Sequence, residues 1–62
     1  MKGFIWLCEH DGGRKVAYRI DHIIALEPYN GAAFVTLTDG RSRLVTESVE
    51  DVATRINEAE DK

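Results

Sequence analysis

Four side chains within the first 22 residues have the chemistry of a reactive or metal-binding site: Cys8, His10, Asp11 and His22. Zinc prefers cysteine and histidine ligands, but Cys-x-His is not a structural zinc spacing and a second cysteine pair is missing. Cys8 and a histidine could also act as nucleophile and base. No oxyanion motif accompanies them, and a chain of 62 residues leaves little room for a ligand cleft of several hundred Å³. We therefore predict no catalytic residue, no cofactor and no metal, with Cys8 a buried strand residue and His10 a loop residue.

Basic side chains form a second candidate group, a surface for an anionic partner. Its members are Arg14, Lys15, Arg19, Arg41 and Arg43. With a tyrosine nearby for stacking, such a surface could bind nucleic acid. The net charge of −3 opposes phosphate binding, and basic residues on an outer strand face commonly serve to block edge pairing. Whether Lys15 and Arg19 share a face with Arg41 and Arg43 stays open.

A third candidate is the apolar run from Phe4 to Cys8, at five residues the longest in the chain. In a strand, Phe4, Trp6 and Cys8 point one way, and Ile5 and Leu7 the other. Both faces are apolar, which is typical of a strand that is covered on both sides. Tryptophan is also enriched at interface hot spots. The predicted oligomer interface is therefore Phe4, Ile5, Trp6, Leu7 and Phe34. The alternative is that the C-terminal helix and a curled sheet cover both faces within one chain.

The elements that must position these residues are five strands and one helix. Periodicity and turn residues place the strands at about 3–9, 14–20, 23–27, 33–38 and 41–46, and the helix at about 49–58. Val16, Tyr18 and Ile20 should face inward, and Lys15, Ala17 and Arg19 outward. We predict a mainly β (α+β) fold, a five-stranded antiparallel curled sheet or small barrel closed by a C-terminal helix.

Two turns set the predicted register of the later strands. Pro28 to Gly31 reads as a four-residue turn that pairs Glu27 with Ala32. Asp39-Gly40 reads as a two-residue type I′ hairpin turn that pairs Thr36 with Arg43. One face then collects a predicted core set, which is Ile24, Leu26, Ala33, Val35, Leu37 and Leu44.

The helix has clear start signals. Ser48 to Asp51 resembles a capping box with Ser48 as the N-cap. Apolar residues then follow at i, i+3, i+4 and i+7, which gives one stripe: Val49, Val52, Ala53 and Ile56. Asp51 and Arg55 are spaced for an ion pair. We expect the helix to fray around Glu58 and residues 60–62 to be loose.

Two stretches carry a resemblance to a known family. They are Thr36-Leu37-Thr38-Asp39-Gly40-Arg41 and Leu44-Val45-Thr46-Glu47-Ser48-Val49-Glu50-Asp51-Val52. In this pattern of strand, turn, strand and Glu-Ser-Val helix start, the chain resembles the FlbD-type small proteins found with bacterial flagellar genes, over nearly its whole length. The resemblance implies a regulatory or assembly role in a bacterium and carries over no catalytic residue.

A second resemblance competes with the first. Ile23 to Glu27, then Val35 to Gly40, then a helix, is also similar to the first half of a LytTR DNA-binding domain. The chain stops where that domain would complete its DNA-contacting surface, so we do not expect DNA binding from this likeness.

Size and composition bound the function. A single domain of 62 residues buries only about 60% of the surface that its unfolded chain exposes, so a supplement to its core is expected. One cysteine excludes an internal disulfide, and oligomerisation is the favoured supplement.

Residues 1–46 carry six Lys/Arg and five Asp/Glu, and residues 47–62 carry two Lys/Arg and six Asp/Glu, which indicates a solvated acidic helix. No membrane span or signal peptide is evident. We predict a cytoplasmic, non-enzymatic protein-interaction module, homo-oligomeric or bound to another protein, with a small nucleic-acid-binding regulator as the alternative.

Overall fold

Residues 3–60 are described by the structure, a computed structural model, with Glu60 described by its backbone alone. Five strands are followed by one helix: β1 (Phe4–Cys8), β2 (Lys15–Arg19), β3 (Ile23–Tyr29), β4 (Ala32–Leu37), β5 (Ser42–Val45) and α1 (Val49–Glu60). A 3-10 turn, Ile20–His22, joins β2 to β3. The prediction of a mainly β chain with a C-terminal helix is confirmed. The helix runs two residues past the predicted end, and residues 61 and 62 lie outside the described range.

The strands form two antiparallel sheets, β1–β2 and β3–β4–β5. The sheets meet at one isolated bridge, between Glu9 and Val45. Beside it, the His10 amide donates to the Leu44 carbonyl at 2.9 Å and the Thr46 amide donates to the Cys8 carbonyl at 2.8 Å. The prediction of a single five-stranded sheet or closed barrel is therefore wrong. β5 ends at Val45, so β1 and β5 overlap for too few residues to extend the ladder.

The first hairpin has the predicted alternation. Ile5 lies opposite Tyr18 and Leu7 opposite Val16, on the core side. Trp6 lies opposite Ala17 on the outer side, because successive side chains of a strand point to opposite faces. The two faces predicted for β1 and the inward and outward sets predicted for β2 are confirmed.

The β3–β4 hairpin turns on two residues. Asn30 and Gly31 have φ of 48° and 82°, and Tyr29 lies opposite Ala32, as in a type I′ turn. The predicted four-residue turn is wrong, since Pro28 is a strand residue. Proline is tolerated there because β3 is an edge strand, where a missing N–H need not break a ladder bond.

The β4–β5 hairpin has a longer loop than predicted. Thr36 lies opposite Ser42, not Arg43. Among residues 38–41 only Gly40 has a positive φ, 88°, which fits a three-residue loop rather than a type I′ turn. A one-residue slip turns every side chain of a strand to its other face. Val45 is therefore in the core, and Leu44, predicted there, lies on the outer face with Phe34.

A bulge in β3 shows that a second member of the predicted core set is wrong. Ile23 lies opposite Leu37 and Ala25 opposite Thr36, so β3 has one residue more than β4 over this stretch. Ile23 consequently packs against the core, while Ile24 is 63% exposed.

The core lies between the two sheets and under α1. Its fully or nearly buried members are Ile5, Leu7, Tyr18, Ile20, Ala33, Val35, Val45 and Val52. The α1 stripe supplies Val52, with Val49 and Ile56 packed beside it. The Asp51 amide donates to Ser48 Oγ at 3.1 Å, which confirms the predicted N-cap.

Candidate functional site

Two aromatic side chains dominate the outer face of the β1–β2 hairpin. Phe4 is 57% exposed and Trp6 is 61% exposed. Their cross-strand neighbours on this face are Arg19 and Ala17, with Lys15 opposite Cys8. We call Phe4, Trp6, Lys15, Ala17 and Arg19 the aromatic face. It is an apolar surface with a basic border on the β2 side.

The structure divides the predicted oligomer interface. Ile5 and Leu7 are buried in the core, so they cannot contact a partner while the domain stays folded. Phe34 is half-buried and lies on the other sheet, where its ring centroid is 5.2 Å from that of Tyr29 at 61°. Only Phe4 and Trp6 of the predicted set are exposed together.

Side chains from the helix region occupy the free edge of β1. The Cys8 amide donates to both Glu47 carboxylate oxygens at 3.1 Å. Arg55 donates to the Trp6 carbonyl at 2.6 Å and to Glu47 Oε2 at 3.1 Å. The predicted Asp51–Arg55 pair is replaced by these contacts. Charged side chains on an edge block pairing with another strand, so this part of β1 is closed to strand addition.

The predicted basic group also divides. Arg14, Arg19 and Arg43 line a cleft of about 410 Å³ that follows β2, between that strand and the β4–β5 hairpin. Glu9 and His22 line it as well, and Glu9 lies 3.5 Å from Arg43. The expectation that so short a chain has no room for such a cleft is wrong, because the two sheets do not close into a barrel. Phe4 and Ala17 line the cleft too, so the cleft and the aromatic face share these two residues and Arg19. Lys15 lies on the aromatic face alone. Arg41 is at the hairpin tip, 3.8 Å from Asp39.

Tyr18 is one of the residues that line this cleft. It is 7% exposed, and its buried hydroxyl has no hydrogen-bond partner. A buried hydroxyl in that state costs about 1–3 kcal/mol. Burial raises the pKa of the Tyr18 phenol, the negative charges of Glu9 and Glu47 raise this pKa further, and the positive charge of Arg43 lowers it. The raised pKa favours the neutral form of the phenol.

The cysteine and histidines are not gathered into one site. Cys8 is half-buried on β1, and its thiol donates to the Gly13 carbonyl at 3.3 Å. His22 lines the cleft. Within residues 3–60, no group of three or more His, Cys, Asp or Glu side chains is placed to hold a metal ion.

Sequence reasoning missed three residues of these sites: Glu9, Glu47 and Arg55. Glu47 had one usable signal, its position just before the Ser48 cap, where the chain enters the helix. Nothing local in the sequence shows that Arg55 reaches β1, 49 residues earlier.

None of the helices in the described part of the chain is long and apolar enough to cross a membrane. Comparison with protein-family models, with curated proteins and with solved structures gives no match for this chain.

Proposed function

We propose that this protein is a non-catalytic interaction module that self-associates through its aromatic face. The observation that carries the proposal is the pair Phe4 and Trp6, adjacent on one face of β1 and each more than half exposed. Burying an aromatic side chain of this kind contributes about 1.5–3 kcal/mol. Tryptophan is also enriched among the residues that dominate binding energy.

The contacts around β1 favour association through its outer face over strand pairing along its edge. Glu47 and Arg55 already bond the Cys8 amide and the Trp6 carbonyl. A strand added there would have to displace the Glu47–Arg55 ion pair and the side-chain hydrogen bonds to the Cys8 amide and the Trp6 carbonyl. The outer face needs no such displacement.

The charges around the aromatic face favour a second copy of the chain as the partner. On the β2 side lie Lys15 and Arg19. On the opposite side, Arg55 reaches the β1 edge from α1, and Asp51 and Glu58 share its helical stripe. A two-fold axis parallel to β1 sets the basic border of one copy against the acidic stripe of the other. Closed two-fold dimers are also the commonest soluble oligomers.

The likeness to FlbD-type proteins agrees with this proposal. That family implies a regulatory or assembly role in bacteria. We infer a small cytoplasmic adaptor whose paired copies present a common surface to a larger assembly.

Sedimentation of the intact chain tests the proposal. The wild type should form a dimer at high micromolar concentration, and Trp6→Glu should give a folded monomer because it places a charge in the contact. Ile24→Glu is the matched control, since Ile24 is 63% exposed on a different strand, and it should remain dimeric. A monomeric wild type, or equal dissociation of both variants, would contradict self-association through this face.

A second candidate function uses the same face. Exposed aromatic rings beside basic side chains can stack the bases of single-stranded nucleic acid, and Phe4 lies opposite Arg19 here. A fluorescent oligonucleotide should then bind the wild type more weakly as salt rises and should not bind Trp6→Glu. Binding by a monomeric wild type would favour this function over self-association.

A further inference from the structure

The cleft along β2 borders the aromatic face and shares Phe4, Ala17 and Arg19 with it. Its remaining lining residues lie outside that face and give the cleft a chemistry of its own. Three arginines and one histidine line it, against one acidic residue, Glu9. Arg19 also lies 3.4 Å from Asp21, which offsets part of its charge. The apolar lining of the cleft includes Val16 and Leu37. Ligand sites typically combine an apolar wall with a few convergent polar groups, in cavities of about 300–1,000 Å³.

The fold holds the cationic groups at this place. The Glu9 amide donates to the Arg14 carbonyl at 2.7 Å, which fixes the Arg14 backbone beside that of Glu9. Arg43 lies opposite Val35 on β4, so the register of β5 directs it to the cleft side of the sheet. Its guanidinium lies 3.5 Å from Glu9, in a side chain that is 47% exposed. Arg43 is therefore accessible to a ligand as well as to Glu9.

The Tyr18 hydroxyl supplies the second observation. Its residue lines the cleft, and it is a buried donor without an acceptor. Glu9 and Arg43 also line the cleft, and their charges act on this phenol. An acceptor that entered beside Arg43 would satisfy it.

We propose that this cleft binds a small organic anion, with its phosphate or carboxylate at Arg14 and Arg43 and its apolar part along Val16 and Leu37. Arg43 exchanges Glu9 for the ligand, and the Tyr18 hydroxyl gains an acceptor, either a ligand oxygen or the released Glu9 carboxylate. Arginine recognises both phosphate and carboxylate through paired N–H donors. A small anion fits better than an extended polyanion, because the positive charge is local to the cleft and the chain as a whole carries −3.

Titration of the isotope-labelled protein with three small-molecule probes tests this site. Binding is measured by NMR as changes in the chemical shifts of the backbone amides. Phenyl phosphate and benzoate represent the two anion sources, and benzyl alcohol is the neutral control. One or both anions should give saturable shifts at Glu9, Val16 and Leu37, and the tighter binder identifies the anionic group. Benzyl alcohol should not saturate. Failure of both anions to bind, or equal binding of the alcohol, overturns the proposal.

Matched variants locate the contacts. Arg14→Gln and Arg43→Gln should each weaken binding by about tenfold, as expected for loss of a charge-assisted bond. Arg41→Gln removes the same charge from an arginine at the tip of the β4–β5 hairpin, which does not line the cleft, and should bind within about twofold of wild type. Equal weakening by Arg41→Gln would show a general charge effect and overturn the site.

Two further variants complete the test. Tyr18→Phe keeps the ring and should bind the anion more weakly, and unchanged binding would remove the hydroxyl from the proposal. Trp6→Glu, which should separate the two copies, lies outside the cleft lining and should bind the probe as the wild type does. Loss of binding in Trp6→Glu would show that the cleft depends on the dimer and contradict an independent site.

Discussion

At the residue scale, Tyr18 is the most unusual side chain of the domain. It is the one described residue with a buried side-chain polar atom that lacks a partner. Its ring packs in the core, and the charges of Glu9, Arg43 and Glu47 act on its hydroxyl. A phenylalanine would fill the same space, so packing alone does not account for the hydroxyl.

The raised pKa of Tyr18 predicts a loss of stability at alkaline pH. An unfolded tyrosine ionises near its ordinary pKa of 10.0, and the folded one ionises at a higher pH. Above about pH 10 the unfolded chain therefore loses this proton first, and the free energy of unfolding falls as pH rises. Urea denaturation at about pH 8 and about pH 11 should show a smaller loss for Tyr18→Phe than for the wild type.

The control for this prediction is Tyr29→Phe, because Tyr29 is 50% exposed. It should keep the wild-type response to pH. An identical response in Tyr18→Phe and wild type would contradict the assignment of the alkaline loss to Tyr18.

At the element scale, the tight two-residue turn and the longer loop are found in the opposite hairpins from those predicted. Asn30-Gly31 forms the tight two-residue turn, with positive φ at both residues, whereas Asp39 keeps an ordinary φ and only Gly40 is left-handed. Asp39 instead accepts a hydrogen bond from the Arg41 amide at 2.9 Å. This side-chain bond is typical of aspartate in a turn.

The effect of replacing Gly40 should come from backbone conformation alone. A Cβ added there meets nothing within 4 Å, while φ is +88°. Gly40→Val should therefore lower the free energy of unfolding by about 1–2 kcal/mol, and Gly40→Asn by less, because asparagine tolerates left-handed φ better. Thermal or urea melts of the two variants measure the difference. Equal loss in both variants would contradict a left-handed Gly40.

At the scale of the whole molecule, Glu47 joins the helix to the first strand. Its carboxylate accepts the Cys8 amide and an Arg55 guanidinium N–H, and its side chain is only 12% exposed. The same contacts cover the β1 edge. One residue thus contributes both to stability and to resistance against edge pairing.

Glu47→Ala should lower the free energy of unfolding by about 1–3 kcal/mol, because the partly buried Cys8 amide loses its acceptor. Glu50→Ala is the control, since Glu50 is exposed in the first helical turn, and it should cost well under 1 kcal/mol. Chemical denaturation measures both. Similar losses in the two variants would contradict the role given to Glu47.

Much of the fold could be predicted from local pattern. Alternation separates the two faces of β1 and identifies the inward residues of β2, and Ser48 with the following apolar stripe identifies the helix start. These predictions succeed because each depends on residues a few positions apart, where strand or helix geometry leaves little choice. The same alternation also predicts that Phe4 and Trp6 lie together on one face of β1.

The sequence by itself determined the number and order of the strands and the helix and which side chains of β1 and β2 point together. Only the tertiary structure decided the register of β3, β4 and β5, the separation into two sheets, and the placing of Arg43 in the cleft and Arg55 on the β1 edge. Both turn regions contain Gly with Asn or Asp, so local chemistry allows loops that differ by one or two residues. A one-residue difference reverses every side chain of a strand. The choice is therefore made by which register buries Val35, Val45 and Ala33 against a core that residues distant in sequence complete.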